Sequence, residues 1–327
     1  MSLVSLEEAV ELLKQNKVVA VPTETVYGLA GRIYSEEALK LIFSTKRRPF
    51  FDPLIVHVRD IIQARSLVQT WPRIAEVLAE NFWPGPLTLV LPKSDLVSNL
   101  ISSGLTTVGI RCPDHPVALK ILDNLGEPFA APSANLFGKT SPTMAQHVLD
   151  ELNGVSVVEG GPCQIGIEST VVAINSDSLS LLRPGKVSKD QIDKILNENG
   201  LITKWIEQKR SDSPGQMKHH YMPSKPLFTV EESFKGNLLE KLNHTLAKLP
   251  YEVEGVKLVK PKSIQSIIEI KLNKDPSTAA RELYAQLRQY SSSSEDALVF
   301  YFKNEHRDSS WSAIIERISK ASSAWIT

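Results

Sequence analysis

Apolar positions recur at two spacings in the first two hundred residues. Ala9, Leu12 and Leu13 follow Ser5-x-x-Glu8 at helical period, and Ser-x-x-Glu is a capping box. Val18–Val21 is an apolar run of strand length. The pattern predicts a helix from Ser35, its cap, to Lys46, then a strand over Leu54–Val58. A helix over Ala75–Phe82 stops at Trp83-Pro84-Gly85-Pro86 and is followed by strands over Leu87–Leu91 and Thr107–Arg111. Pro116–Leu125 reads as a helix, Phe129–Ala131, Val155–Val158, Ser169–Ile174 and Ser180–Leu182 as strands, and Ser188–Asn197 as a last helix. Helices mixed with strands mean α/β, and strands that follow one another without a helix point to a mixed sheet.

After Trp205 the texture changes. The polar stretch 207–225, EQKRSDSPGQMKHHYMPSK, carries Pro, Gly and Ser and reads as a linker. Beyond it, strands are predicted over Leu227–Val230, Ile267–Ile270 and Ala297–Phe302, with helices over Phe234–Leu246, Thr278–Tyr290 and Trp311–Ala321. The expected organisation is a domain over 1–205, a linker over 206–226 and a smaller Rossmann-like α/β domain over 227–327. The smaller domain lacks G-x-G-x-x-G, so no dinucleotide is assigned to it.

Composition narrows the function. The 37 Lys+Arg balance 37 Asp+Glu, and the split is mild: 19 against 22 in residues 1–205 (−3), leaving 18 against 15 (+3). Such a balance argues against a strong polyanion magnet. No run of 18 apolar residues is present, and the acidic, amphipathic start MSLVSLEEAVELLKQNK lacks a secretory pattern, so a cytoplasmic protein is expected. Cys112 and Cys163, 51 positions apart, make neither a disulfide framework nor a zinc motif.

Candidate chemistry gathers at element ends. Pro22–Leu29 (PTETVYGL) follows a strand, where open α/β sheets place ligand groups; Thr23 and Thr25 offer hydroxyls, and Tyr27 a flat face and a hydroxyl. An ordinary polar strand–helix connection is the plain alternative. Lys46-Arg47-Arg48 ends a helix, either as a solvated cap or as a phosphate clamp. Arg111 and Arg183 end apolar strands, and three basic points in a neutral chain imply a focused anion site. His57 shares a strand face with Ile55, either as a core residue or as a carboxylate binder. The loop Pro132–Thr143 holds Ser133, Asn135 and Ser141, able to bond phosphate or ribose; its Gly-Lys-Thr is not a P-loop, because position 133 is Ser rather than Gly. Ser141-Pro142-Thr143 also reads as a helix start. Gly160-Gly161-Pro162 and Gly166–Val172 form a glycine-rich loop into a strand, with Ser169 and Thr170 as donors. His219-His220 lacks carboxylate partners at ligand spacing, so no metal site is assigned.

These stretches together resemble the threonylcarbamoyl-AMP synthase family in its two-domain Sua5 form. The motifs run in order as PTETVYGLAG (22–31), KRRPFFDPLIVHV (46–58), WPGPLTLVL (83–91), TVGIRCPDHP (107–116), APSANLFGKTSPT (131–143), IGIESTVV (165–172) and LLRPGKVS (181–188). SPGQMKHHYMP (213–223) looks like the family's linker, and RELYAQLRQY (281–290) more loosely like its C-terminal domain.

The resemblance implies an open twisted mixed sheet (YrdC-like) and an enzyme. The family joins L-threonine, bicarbonate and ATP into threonylcarbamoyl-adenylate and pyrophosphate. A downstream transferase system then modifies adenosine 37 of tRNAs that read ANN codons. By motif, Thr23, His57, Arg111 and Ser169 would hold threonine or its carbamate. Lys46, Arg48, Thr107, Ser133, Asn135, Ser141, Arg183 and Tyr221 would hold ATP. Lys46, Arg48 and Arg111 would serve catalysis, and His220 and Tyr221 would close as a lid. Mg2+ would arrive with ATP, held by phosphates and water. Weak contact with tRNA is also implied. The alternatives are an RNA-binding module and a carbamoyl-transfer protein sharing the fold.

Overall fold

Local rules decide where the elements start. Ser5 opens α1 (Leu6–Lys14) with a complete capping box: its Oγ accepts from the Glu8 amide at 3.1 Å, and the Glu8 carboxylate accepts from the Ser5 amide at 2.7 Å. Ser35 caps α2 (Glu36–Lys46), and the left-handed Arg47 ends it. The computed structural model describes residues 2–175, 178–207, 219–250, 252–253, 256–257 and 260–327. Most of the sequence SPGQMKHHYMP therefore lies outside the described residues.

The chain forms two compact units: Met1–Leu136 with Pro142–Gln216, and Phe137–Ser141 with Met217–Thr327. The first unit holds β1 (Leu3–Val4), β2 (Val19–Val21), β3 (Gly28–Arg32), β4 (Ile55–His57), β5 (Leu87–Pro92), β6 (Thr107–Arg111), β7 (Phe129–Ala130), β8 (Ser156–Val158), β9 (Thr170–Ile174), β10 (Ser178–Arg183) and β11 (Lys204–Trp205). Its other helices are α3 (Ile61–Arg65), α4 (Arg73–Phe82), α5 (Asn99–Ser102), α6 (Pro116–Leu125), α7 (Ala145–Leu149) and α8 (Lys189–Glu198). One mixed sheet runs β1-β8-β2-β3-β7-β4-β6-β5-β9-β10-β11. The pairs β4·β6 and β5·β9 are parallel, whereas β3·β7, β4·β7, β5·β6 and β9·β10 are antiparallel. The mixed sheet expected from the sequence is present.

Two local expectations change. Pro22–Leu29 does not lead from a strand to a helix; the chain turns and returns as β3, antiparallel to β2. Gly-Leu-Ala-Gly-Arg has little strand propensity, but its small residues let α2 lie close. A Cβ on Gly31 would stand 3.0 Å from Ile42 Cδ1. Ser141-Pro142-Thr143 starts no helix, and α7 begins at Ala145.

The second unit has a parallel sheet of β12 (Leu227–Glu231), β15 (Ile267–Glu269), β16 (Ala297–Phe302) and β17 (Ala324–Ile326), in the order β15-β16-β12-β17. A small hairpin, β13 (Glu252–Val253) and β14 (Val256–Lys257), stands apart from it. Helices α9 (Leu238–Lys248), α10 (Pro276–Ser291) and α11 (Ser312–Ala321) complete the unit. Asn237 caps α9, whose first residue Leu238 lies four residues after the predicted start, because Phe234 closes a turn onto the Glu231 carbonyl. Phe228, Val230, Leu242, Val299 and Ile326 form its core. Among the described residues no helix is long and apolar enough to cross a membrane.

Candidate active site

Strand parity gives the first unit's sheet two unlike faces. Val56, Leu89, Leu91, Ile110 and Val172 enter the large core. The alternate positions Ile55, Val90, Val171 and Ala173 form a small apolar group on the other face. His57, Arg111 and Thr88 share that second parity. Register places His57 opposite Arg111 on β6 and opposite Phe129 on β7. A hollow on this face is lined by Ile55, Val90, Thr107, Gly109 and Val171. Its floor is tight, since a Cβ on Gly109 would stand 3.3 Å from Thr88 Cγ2.

Arg111 is anchored through all three guanidinium nitrogens. Its Nε donates to the Gly85 carbonyl at 3.2 Å and its Nη1 to Thr25 Oγ1 at 2.9 Å, and its Nη2 pairs with Glu24 Oε1 at 2.5 Å. Thr23 shapes the loop that supplies these partners: its Oγ1 accepts from the Thr25 and Val26 amides and donates to the Val26 carbonyl at 2.6 Å. His57 is buried, its ring stacks on Phe129 at 5.6 Å, and its Nδ1 has no hydrogen-bond partner. Burial, helped by the Arg111 charge, pushes its pKa down to about 3, so it is neutral at physiological pH.

Arg183 ends β10 and holds Ser169. Its Nε donates to the Ser169 carbonyl at 3.0 Å and its Nη2 to Ser169 Oγ at 3.1 Å. Thr88 Oγ1 lies 2.8 Å from the same hydroxyl. Gly185 permits this closeness, since a Cβ there would come within 2.4 Å of the Thr170 nitrogen. The turn before β5 ties both groups together: Gly85 accepts from Arg111, and Pro86 accepts from the Thr170 amide at 2.9 Å.

Lys46 is buried at the end of α2, with Nζ donating to the carbonyls of Ser133 and Asn135. An ammonium has three donors, so one hydrogen remains for an anion. Burial, and next the Arg48 charge, lower its pKa to about 7. Arg48 is engaged within its own loop: it donates to the carbonyls of Asp52 and Pro53 and pairs with Asp52 at 2.9 Å. The Ser133–Asn135 loop is fixed against β3, where the Leu29 amide donates to Pro132 at 2.7 Å and the Ala134 amide to Tyr27 at 2.8 Å.

Ser141, His220 and Tyr221 belong to the second unit. Tyr221 has a left-handed backbone (φ 63°), its ring lies 5.6 Å from Tyr284, and the Arg317 guanidinium sits over it. The Thr140 hydroxyl donates to the Tyr221 carbonyl at 3.1 Å, and the Met222 amide donates to Gly138 at 2.8 Å. Arg288 of α10 donates to the carbonyls of Thr140 and Ser141. The segment Phe137–Ser141 is thus held by the second unit, while Ser133 and Asn135 stay in the first.

Sequence reasoning passed over Glu24, Asp52 and Thr88, the partners of Arg111, Arg48 and Ser169. An acidic residue draws no notice in a search for anion binders, although Asp52 stands four residues after Arg48, and Thr88 has the parity of Val90. Tyr27 is the opposite case. Its hydroxyl accepts from the Gly160 amide at 3.1 Å and donates to the Gly161 carbonyl at 2.8 Å, so it fastens the glycine loop rather than facing a ligand.

Comparisons with known proteins agree with this arrangement. The Sua5–YciO–YrdC family model, described as "Telomere recombination", matches residues 11–185, and a model described as "Threonylcarbamoyl-AMP synthase, C-terminal domain" matches 187–323. The chain is similar to the threonylcarbamoyl-AMP synthase of Bacillus subtilis (46% identity over 70% of this chain and 67% of that protein). It is also similar to that of Pyrococcus abyssi (37% over 89% and 86%). A crystal structure of P. abyssi Sua5 complexed with L-threonine superposes with a TM-score of 0.80 at 33% identity, covering 100% of this chain and 99% of that one. The chain therefore belongs to the threonylcarbamoyl-AMP synthase family, in its two-domain Sua5 form.

Proposed function

We propose that this chain condenses L-threonine, bicarbonate and ATP into threonylcarbamoyl-AMP and releases pyrophosphate. The observation that carries the reading is the polar group on the second face of the first unit's sheet, where Arg111 and His57 stand opposite each other beside the anchored Ser169–Arg183 pair. A relative whose structure holds L-threonine supports the substrate.

The reaction needs no protein nucleophile. Threonine's amine attacks carbon dioxide or bicarbonate, and the resulting carbamate oxygen attacks the α-phosphate. An anion must approach a polyanion, so preorganised cations carry much of the catalysis. Arg111, held on three sides, receives the threonine carboxylate or its carbamate, with Thr23, neutral His57 and Ser169 around it. Arg183, Lys46, Asn135, Ser133, Ser141 and the Thr107 main chain hold ATP. Lys46 turns its remaining hydrogen to the phosphates, and Arg48 fixes the loop behind it and adds positive potential. Alignment of three substrates supplies a further part of the rate.

His220 and Tyr221 act as the lid that keeps water from the carbamate and the mixed anhydride. Mg2+ would accompany ATP on phosphate and water ligands and would screen phosphate charge. The product feeds a cytoplasmic transfer system acting on ANN-reading tRNAs, with weak tRNA contact at most. The test is pyrophosphate release from purified protein. It is expected only when threonine and bicarbonate accompany ATP, and equal release with serine or with no amino acid would contradict the assignment.

A further inference from the structure

We propose that Glu24 is a catalytic residue of this site: its carboxylate receives the α-ammonium of the amino acid and takes a proton from it. The proposal rests on the reading above. Glu24 is 2% exposed, and neither of its oxygens accepts a hydrogen bond. Its charge partner is Arg111 Nη2, itself without a hydrogen bond, at 2.5 Å. A buried carboxylate left without donors is costly. Asp296, by contrast, accepts from the Gln265 and Ser266 amides and from the Ser266 hydroxyl. Glu24 lacks such partners, and so does Nδ1 of His57, which stands opposite Arg111 in the sheet register.

A guanidinium and a carboxylate side by side are the negative image of a zwitterion. The amino acid's carboxylate takes Arg111, and its ammonium takes Glu24. The other ionisable groups near Glu24 are Cys112 on β6, Cys163 in the glycine loop and His115 at the cap of α6. Burial pushes both thiols up to about 12, so they stay protonated. His115 is held below its usual range by burial, and its Nδ1 accepts from the Val117 amide. Of these groups only Glu24 is a carboxylate.

The step balances. One ammonium N–H bond breaks and its proton passes to a Glu24 oxygen, leaving a carboxylic acid and a neutral amine. The amine lone pair attacks the carbon of carbon dioxide, supplied by the bicarbonate pool, and a C=O electron pair moves to oxygen. The adduct loses its second N–H proton to water and becomes the carbamate. The Glu24 proton returns to solvent before the next turnover.

Glu24→Gln tests this. At pH 7 its kcat/KM for threonine is expected to be at least about 100-fold below wild type. Because the variant must wait for amine already deprotonated in solution, the variant-to-wild-type ratio should rise about tenfold per pH unit between pH 7 and 9. A flat ratio would reduce Glu24 to a positioner of Arg111, and an undiminished rate would remove it altogether; either outcome overturns the proposal. A binding measurement on wild type needs neither turnover nor a folded variant. The analogue 2,3-dihydroxybutyrate, which carries a hydroxyl in place of the amine, should bind at least about tenfold more weakly than threonine, and equal affinity would also overturn the proposal. Failure of wild type to form threonylcarbamoyl-AMP would instead count against the functional reading.

Discussion

The two units treat buried charge differently. In the second, the sheet is apolar on both faces: Phe228 and Val299 point one way, and the buried Leu298 and Phe300 the other. Its buried Arg317 and Lys320 sit on α11 and find their carboxylate on the same helix, Arg317 with Glu316 at 2.8 Å and Lys320 with the same carboxylate, while Arg317 also lies over the Tyr221 ring. In the first unit Arg48 pairs locally with Asp52, but three other buried cations are held across the sequence, Arg111 by Glu24, Lys46 by Asn135 and Arg183 by Ser169. Local pairing stabilises a helix. Long-range anchoring fixes a cation in space before a ligand arrives, which is what electrostatic catalysis requires.

The contrast can be broken most severely at Arg111. Arg111→Ala is expected to lower turnover by about 10³-fold or more, measured as pyrophosphate release. It should also cost roughly 3–5 kcal/mol in urea unfolding, because Glu24 would stay buried without its partner. Arg317→Met, the counterpart in the second unit, should lower stability while leaving threonine affinity unchanged. A loss of threonine affinity there would erase the distinction.

A smaller effect is expected at Arg288, whose guanidinium holds the Thr140 and Ser141 carbonyls. Losing charge-assisted bonds worth about 1.5–3 kcal/mol should raise the KM for ATP about tenfold or more in Arg288→Ala, with the KM for threonine unmoved. Equal changes in both constants would mean that Arg288 does not act through the Phe137–Ser141 segment.

The remaining effects are in pH dependence. Lys46 falls from 10.5 to about 7 on folding, so between those values the unfolded chain binds more protons. Its contribution to stability therefore increases from pH 7 to 10.5, with a slope of at most about 1.4 kcal/mol per pH unit, and Lys46→Met should flatten that rise. His57 falls from 6.5 to about 3, so stability should drop as pH falls through that window, and less steeply in His57→Gln. Unfolding midpoints at several pH values check both.

Much of this was legible in the sequence for identifiable reasons. Ser5, Ser35 and Ser188 mark helix starts because a capping hydroxyl works through bonds two or three residues away. Arg111 and Arg183 were visible because a cation ending an apolar strand breaks the pattern. Strand β3 was hidden because its glycines serve contact with α2, a tertiary demand that propensity does not encode. Glu24 was hidden because its meaning lies in a partner 87 positions away. The attachment of Phe137–Ser141 to the second unit was hidden for the same reason, since Arg288 acts on main-chain carbonyls that carry no sequence signal.

On this reading the polar face of the first unit's sheet joins an amino acid to a nucleotide through a carbon taken from bicarbonate. Mass spectrometry of the reaction with ¹³C-bicarbonate, threonine and ATP tests it directly. The account predicts one new adenylate carrying threonine and a single ¹³C, absent when any of the three substrates is left out and absent with Arg111→Ala. An adenylate without the label, or no adenylate from folded protein that binds both threonine and ATP, would contradict it.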